Sequence, residues 1–235
     1  MGKEGSGSKK RRKENDPAGS SGAGRKRRTM NSNASATPTF YQEYCELPFT
    51  LSSILVDEFD CITRKDLNSR RSLHVLPARV TVKQVLQHYE RKRTSSSGSS
   101  SMNDEEGKKN KDQILRFCKG LALLFDDALP VCLLYREERP QYESLQHDET
   151  LRLKRPCEIY GSTFLLRLLQ RLPTILRAEP NKEMDELGPV IADLIVLLQK
   201  NRQACFKESY REPRKHELFS WEIDCADAEN EDENQ

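Results

Sequence analysis

Acidic pairs and histidines are the side chains of this sequence whose chemistry could support catalysis. Adjacent acids occur at Asp126-Asp127 and at Glu137-Glu138. A general acid and a general base must converge on one substrate, but neighbouring side chains on a helix point about 100° apart. The four histidines fall in separate segments, at positions 74, 88, 147 and 216. These spacings predict structural or solvated charges rather than a catalytic centre.

Motifs for phosphate, nucleophile or metal chemistry do not occur in the sequence either. There is no Gly-x-x-x-x-Gly-Lys loop, no Gly-x-Ser-x-Gly elbow and no His-Glu-x-x-His helix. Seven cysteines are scattered along the chain without a Cys-x-x-Cys pair, which is typical of buried reduced thiols. The sequence therefore predicts a protein that is not an enzyme and that has no cofactor, no metal site and no small-molecule substrate.

Charge is distributed very unevenly along the chain of 235 residues, although its formal net charge is only +2. Residues 1–28 contain ten Lys or Arg and three acids, whereas residues 216–235 contain eight acids and no Lys or Arg. Segments this polar cannot bury enough apolar surface to offset the entropy of ordering. We predict a disordered basic tail over residues 1–38, a folded domain over 39–213 and an acidic tail over 214–235.

The basic tail contains two clusters of Lys and Arg, at residues 9–13 and 25–28, separated by eleven residues. This spacing is typical of a bipartite nuclear import signal, and the alternative is a solvated arm that contacts nucleic acid. Both interpretations predict a nuclear protein. No apolar run approaches the roughly 20 residues that a membrane span requires, so we expect no membrane association.

Apolar residues at helical spacing predict an all-α domain of about six helices. The first helix is expected behind Thr50 as N-cap, and Thr81 is placed to cap the second. Residues 94–110 are Ser-rich and polar, and they predict a flexible loop. The segment LHVLPARV is the one good strand candidate, so the domain contains at most one short β-hairpin.

Prolines and caps predict the remaining helix boundaries. Pro130 should end or kink the third helix, and Pro140 should start a new helix within the segment LLYREERPQY. That segment can bury its leucines and tyrosines, and its four charges either pair or stay solvated. The stretch GSTFLLRLLQRLPTIL predicts a central helix capped by Ser162. A last long helix ends near Phe206, with Gly188-Pro189 as an alternative first turn.

Five segments in a fixed order resemble the MRG domain of the mortality-factor-4-related chromatin regulators. They are ILVDEFDCITR, LPARVTVKQVLQHY, LLYREERPQY, YGSTFLLRLLQRL and DLIVLLQKNRQACF. The sequence departs from the family pattern at Phe59, where Trp is common, and at Phe164, where His is usual. Relatives often carry an N-terminal chromodomain with an aromatic cage for methyl-lysine. Residues 1–39 contain no Trp or Tyr, so we expect no such cage from them.

The resemblance implies a non-catalytic adaptor of histone acetyltransferase and histone deacetylase complexes, acting in transcription, chromatin organisation and DNA repair. It implies an apolar groove that binds short partner segments carrying Phe and Leu-Pro anchors. By motif position the groove walls are Leu55, Val56 and Phe59, and Arg167 is a polar clamp on the peptide. For the three apolar residues the alternative is ordinary core, and for Arg167 it is a surface ion pair. Nucleic-acid binding through the basic arm is the alternative function.

Overall fold

The computed structural model describes residues 44–63, 71–96, 104–176, 182–207 and 209–219. Over these ranges the chain forms eight α-helices and one pair of two-residue strands, so the all-α prediction is confirmed. Both basic clusters of the N-terminal tail lie outside the described residues, as do residues 97–103 of the predicted Ser-rich loop. Residues 94–96 and 104–110 are helical, so the prediction of a loop is wrong for them. None of the helices in the described ranges is long and apolar enough to cross a bilayer.

The first two helices begin at different kinds of cap. Helix α1 spans Phe49–Thr63 and begins one residue before Thr50, because the Leu51 and Ser52 amides donate to the Pro48 carbonyl. Thr50 is therefore inside the first turn, and its prediction as N-cap is wrong. Helix α2 spans Val82–Ser96. Its Gln84 amide donates to Thr81 Oγ1 at 3.3 Å while the Thr81 amide donates to Gln84 Oε1 at 3.0 Å, which confirms the predicted cap.

The middle of the chain consists of a long helix followed by short helical pieces. Helix α3 spans Asp104–Ala128 and continues as a π-helical turn over Leu129–Leu133, which contains Pro130. A 3-10 turn at Arg136–Glu138 leads into helix α4, Arg139–His147, and a single turn, α5, covers Pro156–Ile159. Pro140 lies in the first turn of α4, as predicted, because its fixed backbone suits that position and no amide donor is lost there.

The last helices form the centre and one side of the domain. Helix α6 spans Ser162–Ile175, α7 spans Lys182–Lys200 and α8 spans Arg202–Cys205. Gly161, with extended backbone, is the N-cap of α6, so the prediction of Ser162 as the cap is wrong. Helix α7 begins well before Gly188-Pro189, so the alternative first turn at that pair is also wrong.

The strand candidate of the sequence pairs with a distant partner. Strand β1 is Leu73–His74, and it runs antiparallel to β2, Tyr210–Arg211, with His74 opposite Tyr210. An isolated antiparallel bridge between Thr81 and Gly161 ties the start of α2 to the start of α6. The pairing of β1 with β2 fixes the chain after α8 to the segment that precedes α2.

Helix α6 is the most buried element of the domain, as its apolar circumference predicts. Five of its apolar side chains have at most one per cent of their surface exposed: Phe164, Leu165, Leu166, Leu168 and Leu169. Burying each such side chain contributes about 1.5–3 kcal/mol, so this helix is a large contributor to the hydrophobic stabilisation of the fold. Helix α6 contacts α1, α2 and α3, and it therefore supports these three helices from the core.

The cysteines within the described residues are all free thiols. Burial raises the pKa of Cys45 to about 11, and burial first, with a nearby carboxylate second, raises the pKa of Cys118 and Cys157 to about 12. A thiol reacts as the thiolate, so these three side chains are chemically inert packing groups at neutral pH.

Candidate protein-interaction site

Helix α1 separates the predicted groove residues onto two faces. Leu55 is only 7 % exposed and packs in the core, whereas Val56 is 59 % exposed and Phe59 is 47 % exposed. Positions i and i+3 on a helix are neighbours, so Val56 and Phe59 form one apolar surface toward solvent. The inner face carries a carboxylate, Glu58, among its buried leucines.

Arg167 lies beneath this surface, on the central helix α6, and is 3 % exposed. Its Nε donates to Glu58 Oε2 at 3.0 Å, and its Nη2 lies 2.8 Å from Glu58 Oε1. Toward Glu138, Nη1 donates to Oε2 at 2.6 Å and Nη2 to Oε1 at 3.0 Å. Nη1 also donates to the Leu133 carbonyl at 2.9 Å. These contacts use the five N–H donors that a guanidinium possesses.

The charges around Arg167 form a buried cluster of one cation and two carboxylates, joined by an imidazole. His74 Nε2 lies 2.7 Å from Glu58 Oε1 and 3.9 Å from Glu138 Oε1. The side-chain amide of Gln141 donates to the backbone carbonyl of His74 at 2.7 Å. Burial lowers the pKa of Arg167, but the two carboxylates outweigh burial and raise that pKa above its ordinary value. The arginine is therefore charged at every accessible pH.

Two aromatic rings stack on the same guanidinium. Its central carbon lies 3.8 Å from the Tyr135 ring centroid and 4.3 Å from the Phe164 ring centroid. Tyr135 in turn contacts Phe59 edge-to-face, with centroids 5.3 Å apart and an interplanar angle of 80°. A continuous stack therefore runs from the buried cation through Tyr135 to the exposed ring of Phe59, and cation–π and edge-to-face contacts both favour this geometry.

The segment LLYREERPQY positions Tyr135 by its own capping bonds. Glu138 Oε2 accepts the Tyr135 amide at 2.7 Å, so the same carboxylate caps the 3-10 turn and pairs with Arg167. Arg139 Nη1 donates to the Pro130 carbonyl at 3.2 Å, which ties the turn back to the end of α3. The segment is a joint between helices, and Glu138, whose pairing the sequence left open, is its buried ionic contact.

The structure thus brings three of the four predicted residues into one continuous arrangement. Val56 and Phe59 are at the surface, and Arg167 supports them from below through Tyr135. Leu55 belongs to the core beside them. We call the exposed side chains of Val56 and Phe59 together with Tyr135 the aromatic surface.

Sequence reasoning missed the carboxylates and the tyrosine of this arrangement. One signal was present: Leu51, Leu55, Glu58 and Ile62 follow helical spacing, so an acid stands on the apolar face of α1. A charge at such a position requires a buried partner of opposite sign. The identity of that cation depends on contacts between distant segments of the chain. So does the stacking of a tyrosine on it.

A third cluster of basic residues, Arg91-Lys92-Arg93 at the end of α2, could also contact nucleic acid, but it is partly engaged within the fold. Arg93 pairs with Asp193 of α7, and Asp193 also accepts the Tyr89 hydroxyl at 3.0 Å. Arg91 and Lys92 are exposed. Nucleic-acid contact by the basic arm stays a prediction. In the part of the chain that the structure describes, no group of three or more metal-ligating side chains could hold a metal ion.

The fold and the site define a helical domain whose central helix fixes an aromatic surface through a buried ion cluster. Comparison with protein families gives its place: the MRG family model matches residues 23–212. The chain belongs to the MRG family, as its motifs predicted.

Curated relatives carry the same domain in longer chains. The chain is 37% identical over 136 residues to the chromatin modification-related protein EAF3 of Saccharomyces cerevisiae, a match of 56% of this chain and 30% of that protein. It is 29% identical over 159 residues to protein MRG1 of Arabidopsis thaliana, a match of 67% of this chain and 44% of that protein. It is 29% identical over 167 residues to the NuA4 complex subunit EAF3 homolog of Dictyostelium discoideum, a match of 70% of this chain and 38% of that protein. The matched region is thus less than half the length of each relative.

Proposed function

We propose that this protein is a non-catalytic chromatin adaptor in the nucleus, a subunit of histone acetyltransferase or histone deacetylase complexes. The names of the relatives support the coarser part of this proposal, because they describe chromatin modification and, in one case, a NuA4 complex subunit. In this role the protein regulates transcription and chromatin organisation, and contributes to DNA repair, by bringing partner subunits together.

The single observation that carries the proposal is the exposed Phe59 ring on a rigid support. A large aromatic side chain at 47 % exposure leaves apolar area in water, which a partner can bury. The ring is held edge-to-face by Tyr135, and Tyr135 is stacked on a cation with no free donor. Because the surface is ordered before binding, little conformational entropy is lost when a partner docks.

The partner segments that suit this surface are short and apolar, with Phe and Leu-Pro anchors. An aromatic anchor of the partner packs against Phe59 and Tyr135, and an aliphatic one packs against Val56. A few such contacts typically dominate the affinity of a peptide for a groove. Leu55 shapes the surface from the core side without contacting the partner.

Arg167 acts in this proposal as a positioning residue rather than as the clamp on the peptide that its motif position predicted. All of its N–H donors already meet carboxylate or carbonyl oxygens of the domain. Its contribution to binding is to fix the Tyr135 ring, which forms part of the aromatic surface.

The test is a charge placed on the aromatic surface of the full chain. Val56→Glu should weaken the binding of a fluorescent peptide with Phe and Leu-Pro anchors by roughly thirtyfold or more, because loss of a central anchor contact costs about 2 kcal/mol. Its Tm should stay near that of the native protein, since Val56 is solvent-exposed.

The matched control is Leu153→Glu, which puts the same charge on an 82 % exposed leucine between α4 and α5, outside the aromatic surface. This variant should bind the peptide like the native protein. Native affinity in the Val56→Glu variant would place the adaptor surface elsewhere, and a collapsed Tm would show that Val56 is a core residue.

A further inference from the structure

The chain after α8 is bound to the joint that presents Tyr135. Arg71 donates from Nη1 to the Glu137 carbonyl and from Nη2 to the Glu217 carbonyl, each at 2.6 Å. The Glu217 side chain is buried and accepts two bonds from Arg211 at 2.6 Å. Residues 214–219, which the sequence assigned to the acidic tail, are therefore packed on the domain next to the Tyr135 joint.

Phe219 is the last described residue, and it lies over two arginines. Its ring centroid is 5.0 Å from the Arg71 guanidinium carbon and 5.1 Å from that of Arg136. Arg136 directly follows Tyr135, and consecutive Cα atoms are about 3.8 Å apart. Residues 220–235 therefore follow a residue that is packed on the joint, against the side chain of the residue next to Tyr135.

The residues that follow Phe219 have the chemistry of a partner segment. In FSWEI the apolar side chains Phe219, Trp221 and Ile223 alternate with Ser220 and Glu222. In an extended chain alternate residues share one side, so an extended FSWEI segment would present Trp221 and Ile223 on the same side as Phe219. At about 3.3 Å per residue, Trp221 would lie within about 7 Å of Phe219 along the chain, which keeps it near the joint that contains Arg136.

Charge complementarity also favours the docking of residues 220–235 along the joint. Residues 220–235 contain seven acids and no Lys or Arg. On the joint side of the aromatic surface the exposed charges include Arg136 and Arg139. On the α1 side they are acidic, Asp57 and Asp60. An acidic segment is therefore attracted along the joint and repelled from the far side of α1.

We propose that residues 220–235 dock on the aromatic surface of their own chain, with Trp221 against Phe59 and Tyr135 in the place of a partner's aromatic anchor. The regulatory consequence rests on the proposed function: the segment competes with partner peptides and weakens their binding until it is displaced. The docking itself is a property of this chain and does not depend on any partner.

The docking is tested by the fluorescence of Trp221, the one tryptophan of the chain. In the full native chain its emission should be blue-shifted relative to a free peptide of residues 216–235, and protected from a soluble quencher. Val56→Glu should shift the emission to that of the peptide, whereas Leu153→Glu should leave it unchanged. Peptide-like emission in the native protein overturns the proposal. So does a blue shift that disappears on dilution, since that would indicate docking between two copies.

The regulatory consequence is tested by removing the two anchors in the full chain. If the segment occupies the surface nine-tenths of the time, Trp221→Ala with Ile223→Ala should strengthen partner-peptide binding about tenfold. In the control, Glu229 and Glu231 are both replaced by Ala, which removes two acids but keeps both apolar anchors. This variant should bind the partner peptide much less tightly than the anchor-less variant does. Equal affinity of the native and anchor-less proteins overturns the competition. If no variant binds any peptide, the proposed function fails, while the Trp221 emission still decides whether the segment docks.

Discussion

Arg167 and Glu58 are 109 positions apart in the chain and face each other in the core, with Nε of the arginine 3.0 Å from Oε2 of the glutamate. The contact joins the central helix α6 to the inner face of α1, directly behind the residues that we assign to partner binding. Because Arg167 also pairs with Glu138, one side chain couples α1, α6 and the joint before α4. Several predictions about stability and binding depend on this coupling.

Replacing Arg167 by Ala should be strongly destabilising. The change leaves Glu58 and Glu138 buried without a cation, and breaking such a pair typically costs about 3–5 kcal/mol. We expect a loss of this size in the free energy of unfolding measured with urea. Arg171→Ala is the control, because Arg171 is exposed on the same helix and should change stability little. A stability of Arg167→Ala within about 1 kcal/mol of native would show that the cluster rearranges or neutralises itself.

The binding role of Tyr135 can be separated from its packing by removing only the ring. Tyr135→Leu retains an apolar side chain but removes the stack on Arg167 and the edge-to-face contact with Phe59. Aromatic pairs contribute about 0.5–1.5 kcal/mol beyond burial, so the affinity for an anchor peptide should fall by about two- to thirteenfold. Titration of the labelled peptide measures the effect, and Tyr135→Phe, which retains the ring, should bind like the native protein. Native affinity in Tyr135→Leu would exclude Tyr135 from the aromatic surface.

Two helical glycines should respond to Ala in opposite directions. A Cβ at Gly188 of α7 would lie 2.5–2.7 Å from ring atoms of Tyr44, so Gly188→Ala must displace that ring and should lower Tm. A Cβ at Gly120 of α3 meets nothing within 4 Å. Gly120→Ala should therefore stabilise the protein by about 0.5–1 kcal/mol, because Ala has the higher helix propensity. Thermal unfolding of both variants checks the pair, and equal Tm values would contradict the close approach of Tyr44.

Acid should weaken the attachment of residues 209–219. Burial by itself raises the pKa of Glu217, but the bonds from Arg211 and the Arg214 amide outweigh burial and lower that pKa below its ordinary value of 4.5. A lowered folded-state pKa contributes stability that is present above 4.5 and is lost as pH falls through the lower, folded-state value. Hydrogen exchange of this segment should accelerate over that acidic range, relative to the same segment in Glu217→Gln, which lacks the titrating group. A native profile that parallels that of Glu217→Gln would contradict the linkage.

Nuclear import should depend on the two basic clusters of the N-terminal tail. Replacing residues 9–13 and 25–28 by Ala, in a fluorescent fusion too large to enter passively, should leave the protein in the cytoplasm. The matched control replaces the exposed Arg91 and Lys92, which belong to a helix of the folded domain. Unchanged nuclear accumulation after loss of both clusters would show that this segment is not the import signal.

Local interactions are the part of the structure that the sequence predicted well. The cap at Thr81 involves Gln84, three positions away, and the start of α4 depends on the fixed backbone of Pro140. Such features depend on neighbouring residues alone, so they can be recognised from spacing. The errors are local as well: Pro48 accepts the first amides of α1 in place of Thr50, and Gly161 is the N-cap of α6 in place of Ser162.

The sequence by itself determined the helices, the buried character of α6 and the family to which the chain belongs. Only the tertiary structure decided that Leu55 is core while Phe59 is exposed, that β1 pairs with β2 and that Arg167 lies between two carboxylates. The physical reason is that helical spacing records which residues share a face, but not what that face meets. Desolvation of Arg167 is offset chiefly by its ion pairs with Glu58 and Glu138, and the fold alone brings those two side chains to the same guanidinium.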